Sequence, residues 1–265
     1  MDNNHISSND PIKIKPTKTL LKKISDHLET EGFYCLKHSV DKKILKKFQV
    51  EVKLLVKKQG NRYFSLINPY KDPSSEFNLL DSSNNLKRYL SDLANIALKK
   101  NTSDQDILNV LRVVAGENTN NQSFKFHYDA TVVTILIPLI IPRGDRGSCG
   151  HLVAFKNFRN IRGNVLINIL EKVIIQNLLT QKIISFFIAN KNDKFICELK
   201  EGNIYFFTGY RTLHANQPVN PKYLRATLLF HCGNPHNNSP LLKMIARARH
   251  WREMLNFEAR SRPKG

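Results

Sequence analysis

No two cysteines of the chain stand in a C-x-x-C pair, which removes the usual sequence basis for a zinc ribbon or a thioredoxin-type redox site. Cys35, Cys149, Cys197 and Cys232 read instead as reduced, mostly buried thiols of a cytoplasmic protein. Long apolar runs are also missing. The longest, Thr131 to Pro142, falls short of the roughly 20 residues that a membrane-crossing helix needs. Met1 to Asp10 is polar and lacks the apolar core of a secretory signal, so a soluble, non-exported chain is expected. Acidic residues are scarce, 22 against 41 basic ones, and the net charge is +19. That balance suits an acidic partner such as nucleic acid or an anionic surface. Yet no RNA-recognition, zinc-finger or helix-turn-helix signature is present. Lys42, Lys43, Lys46 and Lys47 fall on the polar face of one helical stretch, and Arg247, Arg249 and Arg252 form a second basic group. The charge is read as solvated helix faces, with a phosphorylated substrate, a carrier protein or nucleic acid as the alternative.

What is present is ample core material, with 41% hydrophobic residues in 265. The texture divides the chain. Residues 1–18, with Pro11 and Pro16, read as a flexible arm. From 19 to 106 helical spacing dominates: Leu20 to Leu28 ends at Gly32, Asp41 caps a second helix, and a third lies near Leu86 to Leu98. A short strand is expected at Phe33 to Leu36, and 61–83 is turn-rich. From 107 to 233 short β-branched strands take over, at Leu108 to Ala115, Thr131 to Ile141, His151 to Phe155, Phe195 to Leu199, Ile204 to Phe207 and Tyr223 to Cys232. A helical insertion, 161–189, interrupts them, with Val165 to Leu179 at helical spacing and Ile183 to Ala189 ambiguous. A basic helix at 239–257 closes the chain. Helices first and many short strands after suit one α+β domain, 19–265, with a jelly-roll or barrel core and helices packed outside it.

Phe126-His127-Tyr128-Asp129 is the segment richest in chemistry. On an extended chain a His and a carboxylate two apart project to one face and can bind one metal together. A third ligand is available at His214, which follows the strand Ile204 to Phe207. Two histidines and one carboxylate on one octahedral face leave positions open, an arrangement suited to Fe(II) and O2 chemistry. Eleven positions after His214 comes Arg225, inside an apolar strand. An arginine there is costly unless paired, and its fork can clasp a carboxylate. Thr227 shares its face by alternation and offers a hydroxyl.

H-x-D, a distal His, then R-x-S/T about ten residues later resembles the Fe(II)/2-oxoglutarate-dependent dioxygenases. Glu201-Gly202-Asn203-Ile204-Tyr205-Phe206-Phe207 resembles the turn and strand before their distal His. The likeness covers roughly residues 108–232, and among subgroups the phytanoyl-CoA-hydroxylase-like small-molecule hydroxylases are nearest. It implies a double-stranded β-helix (jelly-roll, cupin-like), iron on His127, Asp129 and His214, and the distal carboxylate of 2-oxoglutarate on Arg225 and Thr227. For the carboxylate nearer the metal, Arg112 and Thr134 are candidates from their strand positions. A retained Asp129 favours hydroxylation, desaturation or ring formation over halogenation. The extra arginine and asparagine pattern of the nucleic-acid demethylases is absent, which argues against a nucleic-acid substrate.

The expected activity is thus hydroxylation of an aliphatic carbon of a small molecule, with O2 consumed and succinate and CO2 released. That substrate is an amino acid, a peptide, a natural-product intermediate or an acyl thioester, anionic if Arg143, Arg146 and Arg211 line the pocket mouth rather than serve as loop charges. Two other classes stay open: a metal cupin enzyme that does not use 2-oxoglutarate, and a non-catalytic basic binding protein on the same fold. His151, His231 and His236 are read as structural or surface residues.

Overall fold

The computed structural model describes residues 11–14, 17–80, 84–100, 107–117, 123–145, 147–189, 195–237, 239–241 and 244. In chain order its elements are α1 (Lys18–Thr30), β1 (Phe33–Leu36), α2 (Lys42–Gln59), β2 (Phe64–Ile67), α3 (Asn84–Leu98), β3 (Leu108–Val114) and β4 (Val133–Ile140). There follow β5 (Leu152–Phe155), α4 (Val165–Gln176), α5 (Leu178–Ala189), β6 (Ile196–Cys197), β7 (Ile204–Phe207), β8 (Leu213–Asn216) and β9 (Arg225–Cys232).

Two antiparallel sheets form the centre. The larger has the order β1-β7-β4-β9-β3-β2 and the smaller β6-β5-β8. Strands β4, β7 and β9 are apolar nearly throughout because both faces of the larger sheet are covered, and period-two alternation sorts their residues between the covers. Val133, Ile135, Ile137 and Leu139 of β4 and Ala226, Leu228 and Phe230 of β9 face one way. They meet Ile24 and Leu28 of α1, Phe48 and Val52 of α2, and Leu86, Tyr89, Leu90 and Leu93 of α3. On the opposite face Leu136, Tyr205, Phe207 and Leu229 meet Leu152 and Ala154 of the smaller sheet. The residues between the sheets are not all apolar. Thr134, Arg225 and Thr227 are buried there, and they build the site described below.

Local chemistry sets the helix ends. The Asp41 carboxylate accepts the backbone N–H groups of Lys43 (2.8 Å) and Ile44 (3.3 Å) and starts α2. Gly32, at φ 68°, takes the left-handed turn that sends the chain from α1 into β1.

The molecule departs from the sequence expectations in five places. The N-terminal arm is anchored at 11–14: Ile12 and Ile14 are buried, and Ile12 bridges to Val40. The turn-rich stretch 61–83 contains β2, paired with β3, which four residues with a serine among them do not announce. Strand β8 arises where only the loop of His214 is legible, because it pairs with β5 across the smaller sheet. The insertion is a hairpin of two helices parted at Asn177, and the ambiguous Ile183 to Ala189 is helical. Histidine 231 faces inward, as shown below. The C-terminal helix of 239–257 lies almost wholly outside the described residues.

The hairpin docks through polar groups and through Ile175 and Ile184, which pack against the cluster of Phe126, Tyr128, Val153, Leu213 and Ala215. Arg159, buried, is the hub: it donates to the Tyr210 carbonyl (2.8 Å), to Glu171 of α4 (2.6 Å) and to Asn168 of α4 (3.0 Å). Its guanidinium lies between the rings of Tyr128 and Tyr210, 3.9 and 4.3 Å from their centroids. From α5, Gln181 accepts the N–H of Phe126 (2.7 Å) and donates to its carbonyl (2.8 Å), as a neighbouring strand would.

Candidate active site

The structure brings His127, Asp129 and His214 together, with ligand atoms all within 4.8 Å of one another. Two backbone hydrogen bonds do much of this: His127 N–H to the His214 carbonyl (3.0 Å) and His214 N–H to the His127 carbonyl (3.1 Å). The pair forms an isolated antiparallel bridge, which puts both imidazoles on one side with centroids 4.4 Å apart.

Each of the three side chains is held by its far atom. The Nδ1 of His127 lies 2.9 Å from the Lys125 carbonyl, and the Nδ1 of His214 lies 2.9 Å from that of Thr212. A carbonyl only accepts, so both Nδ1 atoms carry a proton, and in the neutral ring this leaves the Nε2 lone pair for a metal. Those Nε2 atoms lie 3.8 and 3.6 Å from Asp129 Oδ1. The other oxygen, Oδ2, accepts the Thr134 hydroxyl at 2.6 Å. Thr134 in turn lies 3.1 Å from His231 Nδ1, so His231, Thr134 and Asp129 form a donor chain. Thr134 therefore orients the carboxylate and has no free hydroxyl for a co-substrate, which corrects the expectation for that residue.

Electrostatics agree with metal binding. Burial, with His214 beside it, lowers the His127 pKa to about 4, so the imidazole is neutral at physiological pH although 31% of the side-chain surface stays open. Burial alone would raise the Asp129 carboxyl, but His214, His231, His127 and the Thr134 hydroxyl together hold it well below the usual range. Two imidazole nitrogens and one carboxylate oxygen then converge, the donor set that a divalent cation needs.

Backbone spacing protects this geometry. The Asp129 N–H donates to the Gly209 carbonyl at 3.0 Å. A side-chain carbon at 209 would run into Asp129 Oδ2 and Thr134 Oγ1, so only glycine fits the approach.

Arg225 occupies the same cavity, with Arg112, Asn216 and Thr227 also lining it. It is fully buried, and among the described residues no carboxylate pairs with it. One terminal nitrogen donates to Asn216 Oδ1 (3.0 Å), another sits 3.5 Å from Thr227 Oγ1, and among the described residues Nε has no partner. Burial, with Arg112 next to it, pulls the guanidinium pKa down to about 9. This is the mark of a cation held without a counter-ion. Arg112, opposite Thr227 in the β3–β9 register, also has an unpartnered Nε. A cavity with two such arginines is built for an anion.

Two lining residues are not expected from sequence: Asn216, which positions Arg225, and His231, which lines the cavity where a structural or surface role is expected. The signal for His231 was present: it alternates with Arg225, Thr227 and Leu229 on β9 and so shares their face. His151 and His236 stand apart from the triad. The first accepts the Leu199 N–H at 3.2 Å, and the second is 3.1 Å from the Tyr210 hydroxyl. Arg211 pairs with Glu29 at 2.6 Å, and Arg146 lies outside the described residues.

No protein-family model and no curated protein sequence matches the chain. Solved structures do. A prolyl 4-hydroxylase from Phytophthora capsici is similar at a TM-score of 0.52 and 15% identity, covering 86% of this chain and 70% of that one. AviO1 from Streptomyces viridochromogenes Tue57 gives 0.52 and 12%, covering 81% and 95%. The epimerase SnoN, in complex with Fe3+, alpha ketoglutarate and nogalamycin RO, gives 0.50 and 10%, covering 82% and 85%. At these identities the likeness is one of fold.

Proposed function

We propose that the chain is an Fe(II)- and 2-oxoglutarate-dependent oxygenase on a double-stranded β-helix, hydroxylating an aliphatic carbon of a small molecule. One observation carries the reading: a His-Asp-His triad shares its cavity with a fully buried arginine that has no carboxylate partner among the described residues. The shared fold with a prolyl 4-hydroxylase and with SnoN, which binds iron and alpha ketoglutarate, supports it.

In this reading His127, Asp129 and His214 hold Fe(II). Arg225, fixed by Asn216, takes the far carboxylate of 2-oxoglutarate with Thr227, and Arg112 adds positive charge on the neighbouring strand. With iron, 2-oxoglutarate and O2 bound, the site supplies oxidation of a C–H bond coupled to decarboxylation of 2-oxoglutarate to succinate and CO2. The protein's part is geometric and electrostatic. The Lys125 and Thr212 carbonyls fix both imidazole tautomers, and Thr134 holds the carboxylate rotation. Leu136, Leu152, Phe207 and Leu229 wall the cavity and keep water from it. The unpartnered Arg225 counts against a metal enzyme that ignores 2-oxoglutarate, since such an enzyme has no use for a buried, unpaired cation.

Anaerobic titration with Fe(II) and then 2-oxoglutarate tests this. The expected result is a metal-to-ligand charge-transfer band that saturates with 2-oxoglutarate. Arg225→Ala should weaken 2-oxoglutarate binding by about thirty- to a hundredfold while Fe(II) affinity holds, since a buried charge-assisted contact is worth about 2–3 kcal/mol. No band in the wild type, or equal 2-oxoglutarate affinity in the variant, would sink the assignment.

A further inference from the structure

The α4–α5 hairpin is built inside out. Much of its inward side is polar: Asn168 and Glu171 bind Arg159, and Lys172 donates to the Asp129 carbonyl at 3.2 Å, while Ile175 and Ile184 are the apolar residues turned to the core. Its outward residues are apolar. Leu166, Leu170, Val173 and Ile174 of α4 are 65, 61, 62 and 53% exposed, and Leu178 and Phe186 of α5 are 79 and 67% exposed. Positions 166, 170, 173 and 174 fall on one helical face, so these side chains form a continuous surface. A water-facing helix shows the opposite arrangement, and a patch of this kind marks a contact site.

We infer that this face is a membrane-docking element, which seats the hairpin in the surface of a bilayer rich in anionic lipid. Charge selects this occupant. Glu171 is the lone acid between 156 and 189, and it points inward onto Arg159 and Arg162. Lys156 and Lys182 of the same segment are exposed. The whole chain carries +19. A second copy would bring the same positive charge to the same face, which repels, whereas anionic headgroups complement it. Each helix has 12 residues, about 18 Å, too short to cross the roughly 30 Å hydrocarbon core. The hairpin would thus lie in the interface plane, leucines and isoleucines among the acyl chains and lysines at the headgroups.

Flotation of the full chain tests this with vesicles of equal phosphatidylglycerol and phosphatidylcholine, and with phosphatidylcholine alone. The wild type should float with the first and partition about tenfold less onto the second. Leu170→Glu with Ile174→Glu should lose at least about tenfold on the anionic vesicles, and its thermal unfolding should not change. Lys156→Glu with Lys182→Glu, which alters no apolar residue, should bring anionic partitioning down to the phosphatidylcholine level. Wild type left in the lipid-free fraction, or both variants floating like it, overturns the inference. A dimer by light scattering that disperses in Leu170→Glu/Ile174→Glu, without flotation, assigns the face to a second copy instead. Flotation requires neither iron nor turnover, so its failure leaves the oxygenase reading untouched, and failure of the Fe(II) titration leaves docking untouched.

Discussion

Helices α1 to α3 and helices α4 to α5 use the same periodic spacing to opposite ends. In the first set the apolar stripe goes in: Leu90 of α3 is fully buried, and the lysines of α2 point away. In the second the stripe goes out, and an arginine hub with a glutamate and an asparagine holds the helix from within. The first set is fastened by burial, which is non-directional and tolerant of substitution. The second is fastened by a few directional contacts beside the apolar ones of Ile175 and Ile184, so its stability should concentrate in few residues.

The largest effect should come from Arg159→Ala, which leaves Asn168 without its buried partner, Glu171 with Arg162 alone, and the space between Tyr128 and Tyr210 empty. The opening free energy of α4, read by hydrogen exchange of its amides, should fall by about 3–5 kcal/mol. Unchanged exchange in α4 would dissolve the contrast drawn above. Next comes a matched pair of leucines. Leu90→Ala, in the core, should cost about 3 kcal/mol in denaturant unfolding. Leu170→Ala, on the hairpin's outer face, should stay within about 0.5 kcal/mol of wild type. Equal costs would mean that the hairpin is packed like the others. The smallest effect concerns pH. Burial, then Arg159, lowers the Lys172 pKa from 10.5 to about 8. Between those two values the unfolded chain holds a proton that the folded one has released, so stability rises with pH across the window, and the penalty is full below it. Lys172 is only half-buried, so the gain is on the order of 1 kcal/mol. Urea unfolding from about pH 7.5 to about pH 10 should show this rise in the wild type and a flatter profile in Lys172→Met.

The same contrast explains what was legible in the sequence. His127, Asp129 and His214 stand out because their spacing carries chemistry, and Arg225 because a charge inside an apolar strand demands a reason. The strands of the larger sheet were legible from their β-branched runs. Two short strands were not. Phe64–Ile67 and Leu213–Asn216 owe their conformation to partners far along the chain, β3 and β5, and four residues hold too little pattern of their own. Helical spacing at Val165 to Leu179 was legible too, but periodicity reports a stripe and not the side that it faces. Only Arg159, which precedes the hairpin and sits between Tyr128 and Tyr210, decides that. Thr134 could be placed near the site from its strand, yet the sequence does not say that Asp129 claims its hydroxyl.

Gly209 offers no proton, no ligand and no charge. Beyond the carbonyl that accepts the Asp129 N–H, it contributes only room, and that room is filled by the carboxylate of Asp129 and the hydroxyl of Thr134. Adding one methyl group there would displace Asp129 as surely as replacing it. If the proposed activity holds, a mutational scan scored on turnover alone would therefore rank Gly209 beside His127, Asp129 and His214, 80 positions from the residue it protects. A scan scored on Fe(II) retention and on folding together would separate a residue that acts from one that makes space.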